Sequence, residues 1–126
     1  MFKKLSWVAG LSFALICPTS LAATYLLTPG LSANFDFPAH APQTLKNYLF
    51  WTISATCILK TQDDGDEFYA RMINYSGKIN EVKLSKGENM TVLIHNGDNL
   101  RISADAGAEV ELTNQGQHTV RATCST

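Results

Sequence analysis

Few side chains in this sequence have the type and spacing to do chemistry. Asp63, Asp64, Asp66 and Glu67 surround Gly65 in the run TQDDGDE at 61–67. Carboxylates at that density are oxygen ligands for Ca²⁺, but D-D-G-D-E lacks the alternate-position order of a helix–loop–helix calcium loop. A solvated acidic loop accounts for the run. His40, His95 and His118 carry the ring nitrogens that zinc takes, yet they come from three distant segments, and no metal is expected of them. No Gly-x-Ser-x-Gly elbow, Gly-rich phosphate loop or Walker pattern is present. The expectation is a protein without catalysis and without a cofactor.

The cysteines carry more information. There are three, Cys17, Cys57 and Cys124. Cys17 falls in a stretch with the parts of a secretory signal peptide. Lys3 and Lys4 open it, an apolar run follows from Leu5 to Ile16, and small residues stand at Ser20, Ala22 and Ala23. The apolar run is too short for the roughly 20 residues of a membrane-crossing helix. Bulky Ile16 before Cys17 argues against a lipid-modified cysteine. Cleavage after Ala22 or Ala23 would leave Cys57 and Cys124, and two cysteines in an exported domain form one disulfide. The expected location is the periplasm or the exterior, with no integral membrane segment in the mature chain.

Period-2 alternation sets the frame that must hold these residues. In the run 48–60, YLFWTISATCILK, one face collects Trp51, Ile53, Ala55, Cys57 and Leu59. That is a strand pattern with Cys57 facing the core. The alternation returns in 68–75, 79–84, 90–95, 100–104, 108–113 and 118–124, where His118, Val120, Ala122 and Cys124 share the inward face. Ser76-Gly77-Lys78, 85–88, Asn96-Gly97, 105–107 and 114–116 separate the runs as turns. Asn96-Gly97 is the strongest hairpin signal among them. No helical period occurs beyond the leader. The fold expected is all-β, a small antiparallel sandwich or barrel with one disulfide. Its parts are a signal peptide at 1–22, an irregular Pro-rich segment at 23–47 packed on the core, and an antiparallel β domain at 48–126. Within the Pro-rich segment, 25–27 suits a short strand, 35–37 at best an edge strand, and 43–47 a helical turn.

A length of 126 residues suits one domain, and 45 % hydrophobic against 17 % charged residues suits a folded one. Ten Lys and Arg stand against eleven Asp and Glu; with Lys3 and Lys4 in the leader, eight basic residues remain, scattered singly along the chain. Nucleic-acid binding needs a basic face to neutralise phosphates, and the scatter gives no sign of one. Aromatics crowd the first third, and Tyr and Trp are frequent interface anchors. Tyr48, Phe50 and Trp51, with Asp63, Asp64, Asp66 and Glu67, are the candidate partner surface. Phe50 and Ile58 must either be covered by the 24–47 segment, the reading preferred, or be offered to a partner. A protein partner of unknown identity is expected, and homo-oligomerisation stays open.

The stretches NGDNLRISADAG (96–107) and GAEVELTNQGQHTVRATCS (107–125) resemble a family of small exported β-rich proteins of Gram-negative bacteria with no assigned activity. That resemblance covers most of the chain beyond the leader and implies no functional residue. The C-type lysozyme inhibitors are similar in size, compartment and disulfide, but their Ser-Gly-Ala and Trp-x-x-Lys-Gly elements are absent, and Ser85-Lys86-Gly87 is only an echo. The function expected is a non-enzymatic binding or structural protein of the envelope or secretome. The alternative is an inhibitor of a cell-wall hydrolase acting through a polar loop.

Overall fold

The computed structural model describes residues 22–126, so the expected signal peptide and Cys17 lie outside the described residues. Eleven strands follow: β1 (Ala23–Leu26), β2 (Ser32–Phe37), β3 (Pro42–Lys46), β4 (Ile53–Lys60), β5 (Asp66–Asn74), β6 (Ser76–Ile79), β7 (Val82–Ser85), β8 (Asn89–Ile94), β9 (Asn99–Ala104), β10 (Glu109–Asn114) and β11 (Val120–Ser125). They form a six-stranded sheet in the order β2-β11-β4-β9-β6-β7 and a five-stranded sheet in the order β1-β3-β10-β5-β8. All named strand pairs are antiparallel except β1 with β3. The all-β expectation holds.

Consecutive strands change sheet at every connection but one, the turn from β6 to β7. There Asn80 and Glu81 take φ of 47° and 70°, the paired left-handed residues of a tight hairpin. From that tip the chain pairs with itself outward, β6 with β7, β5 with β8, β4 with β9, β3 with β10 and β2 with β11. The domain is thus one long hairpin rolled into two sheets, the topology of a jelly roll. Rolling adds a second set of neighbours, β11 on β4, β10 on β5 and β9 on β6.

The inward positions of both sheets form a single core. Leu59, Phe68, Ile79, Ala108, Val120 and Ala122 are sealed from solvent, and the Phe37 and Phe68 rings meet edge-on with centroids 5.3 Å apart, joining the sheets. Cys57 and Cys124 are both inward and bonded, as expected.

Several expectations are corrected. The 23–47 segment is not irregular: it supplies β1, β2 and β3, and residues 43–46 are strand, not a helical turn. Pro38 ends β2 after Phe37, and β2 is indeed an edge, where a missing N–H costs no ladder bond. The central strand starts at Ile53, so 48–52 is a loop. Ser76-Gly77-Lys78 is strand, and the true hairpin lies at Asn80-Glu81. Asn96-Gly97 turns the chain, with Gly97 at φ 88°, but the strands on its two sides belong to different sheets. The residue pair fixes a local bend; it does not decide whether the flanking strands pair.

Candidate functional site

Because β4 runs between them, residues 47–52 and 61–65 sit at opposite ends of the sandwich. The eight residues of β4 span about 26 Å. The expected partner surface therefore divides in two, with Tyr48, Phe50 and Trp51 at one end and Asp63, Asp64, Asp66 and Glu67 at the other.

The aromatic end is built on two polar clamps. Asn47 is fully buried, and its Nδ2 lies 2.8 Å from the Trp51 carbonyl, 3.0 Å from that of Ala104 and 3.1 Å from that of Asp105. Its Oδ1 accepts from the Leu49 amide at 2.9 Å. A short polar side chain at a strand end is well suited to satisfy loop backbone in this way. The Asp105 carboxylate is the second clamp. It accepts from Thr52 Oγ1 on one side and from Ser76 Oγ on the other. Trp51 and Tyr75, the neighbours of those two hydroxyl residues, are thus carried on either flank of Asp105.

The rings fastened this way face solvent. Phe50 is 94 % exposed, and Tyr48, Trp51 and Tyr75 are exposed as well. The 23–47 segment covers neither Phe50 nor Ile58, against expectation, because its strands are absorbed into the two sheets. Lys46 Nζ stands 4.6 Å from the centre of the Tyr48 ring, a cation–π contact that orients it. Tyr75 forms the one-residue corner between β5 and β6 at φ 58°, an unusual conformation for a bulky residue. Gly107 leaves room for its ring: a Cβ added there would approach Tyr75 Cε2 to 3.1 Å. Tyr75 escaped the sequence reading because its run alternates like a strand; the tight Asn74-Tyr75-Ser76 corner has no Gly or Pro to mark it.

The opposite end gathers the acidic run and all three histidines. His118 Nδ1 is 2.7 Å from Asp63 Oδ1. His118 was expected inward, but β11 begins only at Val120, and the ring lies exposed on the preceding loop. Thr61 Oγ1 donates to Asp66 Oδ2 at 2.5 Å and accepts from the Asp63 amide at 3.1 Å. Asp66 is buried against Gly116, where an added Cβ would fall 1.9 Å from its Oδ1. Burial raises the Asp66 carboxyl above its ordinary value, whereas the hydrogen bond from His118 holds Asp63 below it. Asp64 and Glu67 remain exposed. His95 pairs with Asp98 at 3.4 Å, and His40, at φ 64°, donates its amide to the Asn114 carbonyl. Among the described residues no group of three or more His, Cys, Asp or Glu is arranged to hold a metal ion. No helix among them is long and apolar enough to cross a membrane.

Compared with protein-family models, curated proteins and solved structures, the chain finds no match.

Proposed function

We propose that this domain is a non-catalytic binding module of an exported compartment, and that its aromatic end takes a protein partner. The observation that carries the reading is Phe50, 94 % exposed between exposed Tyr48 and Trp51, on a loop whose backbone the buried Asn47 fastens. A large apolar ring left in water at a loop tip gains when a partner covers it, by about 2 kcal/mol or more. A loop already fixed loses little conformational entropy on binding, so more of that gain is realised as affinity. Tyr and Trp are the usual anchors of such contacts. The Cys57–Cys124 bond supports an oxidising compartment, the periplasm or the exterior.

The alternative is inhibition of a cell-wall hydrolase by the acidic end. The short His118–Asp63 contact favours it, since it steadies the loop that presents Asp64 beside Glu67 at the start of β5. Capture from envelope extract separates the two. The expected result is a discrete protein retained by the wild type, lost with Phe50→Ser and Trp51→Ser, and kept with Asp64→Asn and Glu67→Gln. The reverse pattern, together with slowed wall lysis in a turbidity assay, would replace this reading with the inhibitor. Equal capture by every variant would refute both.

A further inference from the structure

Strand alternation gathers basic residues that the sequence scatters. Lys60 on β4, Lys78 on β6, Lys83 on β7, Arg101 on β9 and Arg121 on β11 all stand on the outer face of the six-stranded sheet. They are five of the eight basic residues beyond the leader. The acids within reach are already engaged: Asp36 holds Arg121 and Glu81 holds Arg101, each at 3.1 Å. Among the described residues no ion pair involves Lys60, Lys78 or Lys83. Two pairs of like charge stand directly opposite in the ladders, Arg121 with Lys60 and Lys78 with Lys83. Such pairs lower stability, their Cβ atoms being only about 5 Å apart. The five-stranded sheet is arranged otherwise, with Lys46 bonded to Glu109 and Arg71 to Glu111.

We propose that this outer face is a second binding surface, and that its ligand is an acidic polysaccharide. The charge it offers is a band, not a point. Lys78 lies level with Ser103 and Ser54, and Lys60 lies six residues further along β4, about 20 Å away. A polymer with repeated negative groups matches such a band, and a single small anion does not. Between the lysines the face carries hydroxyls, with the exposed Ile58 among them. Ser54 and Ser103 are hydrogen-bonded across β4 and β9 and share a furrow with Lys78 and Arg101. Hydroxyls of this kind bond to sugar hydroxyls as donor or acceptor. The free cations are lysines, point charges tolerant of direction, while the Nε of each arginine is already held by a carboxylate, which disfavours bidentate reading of phosphate. Among the described residues no aromatic side chain stands on this face to stack a nucleobase, as single-stranded nucleic acid requires.

Dextran sulfate is the probe, with neutral dextran as its control. The disulfide-bonded domain is expected to bind dextran sulfate at low salt and to release it as salt rises, and to ignore neutral dextran. Each of Lys60→Gln, Lys78→Gln and Lys83→Gln should weaken binding roughly fivefold, and the triple variant should not bind. These are exposed positions in like-charge pairs, and a melting temperature equal to or above that of the wild type confirms that the variants fold. Phe50→Ser should bind dextran sulfate as the wild type does, so this surface stands or falls apart from the aromatic end. Absence of binding, or binding undiminished in the triple variant, overturns the proposal. Tighter binding to duplex DNA or to phosphatidylglycerol vesicles than to dextran sulfate overturns the polysaccharide as ligand.

Discussion

Cys57 and Cys124 stand directly opposite each other on β4 and β11, with their Cα atoms 4.0 Å apart. Along the folded hairpin β4 pairs with β9 and β11 with β2, so the disulfide bridges two strands that meet only because the hairpin is rolled. It closes 67 residues of sequence separation, for which loop-closure entropy gives about 4 kcal/mol. Replacing both cysteines by Ala should lower the unfolding free energy by up to that amount in urea titrations. Protein unfolded without reductant should show no free thiol from these two residues.

Removing the buried amide clamp should cost more than removing any exposed ring beside it. Asn47→Ala takes a donor from three carbonyls, of which that of Asp105 keeps the Ala108 amide, and leaves the Leu49 amide without its acceptor; a stranded buried group costs about 1–3 kcal/mol. A loss of at least about 2 kcal/mol is expected in urea unfolding, with faster amide exchange at Leu49. Phe50→Ser should change stability by less than about 0.5 kcal/mol, as surface substitutions do.

Asp66 and Asp63 bend the pH profile in opposite senses. The Asp66 carboxyl is raised from its ordinary 3.8 by burial, so its contribution is full below that value and is lost as pH rises through the folded-state pKa. Asp66→Asn should remove that decline and flatten the profile toward neutrality. Asp63 is lowered, chiefly by its hydrogen bond with His118, so its contribution is present above 3.8 and is lost as pH falls through the folded-state pKa. Asp63→Asn should flatten the acid limb. Urea midpoints measured from acid to neutral pH check both signs.

The hairpin tip offers a gain. Glu81 holds φ of 70°, where glycine is at ease and an L side chain is strained by about 1–2 kcal/mol. Glu81→Gly should raise stability by about 0.5–1 kcal/mol after losing the exposed Arg101 pair. A lower urea midpoint would contradict the assignment of a strained tip.

The inward and outward faces of β4 were legible from residues 53–60, because side-chain direction follows the period of two, and so was the cysteine pair. The same period says nothing about which sheet a strand joins. Hence Asn96-Gly97 looked like a hairpin, and Asn80-Glu81, whose strain tertiary pairing tolerates, did not. Lys60 and Arg121 lie far apart in sequence, and only the β4–β11 register makes them neighbours. The candidate surface broke apart for a related reason: Trp51 and Asp63 are close along the chain, but an eight-residue strand carries them to opposite ends.

Rolling a single hairpin also orders events in time. As the chain emerges from its first residue, none of its five antiparallel rungs can form until Asn80 and Glu81 have appeared, and β6 and β7 are the first able to pair. The outermost rung waits for Val120–Ser125, and Cys57 waits equally long for Cys124. Topologies dominated by such distant pairings fold slowly, in about milliseconds to seconds. Formation of the Cys57–Cys124 disulfide, its two electrons passing to an external oxidant, then reports that β11 has docked on β4.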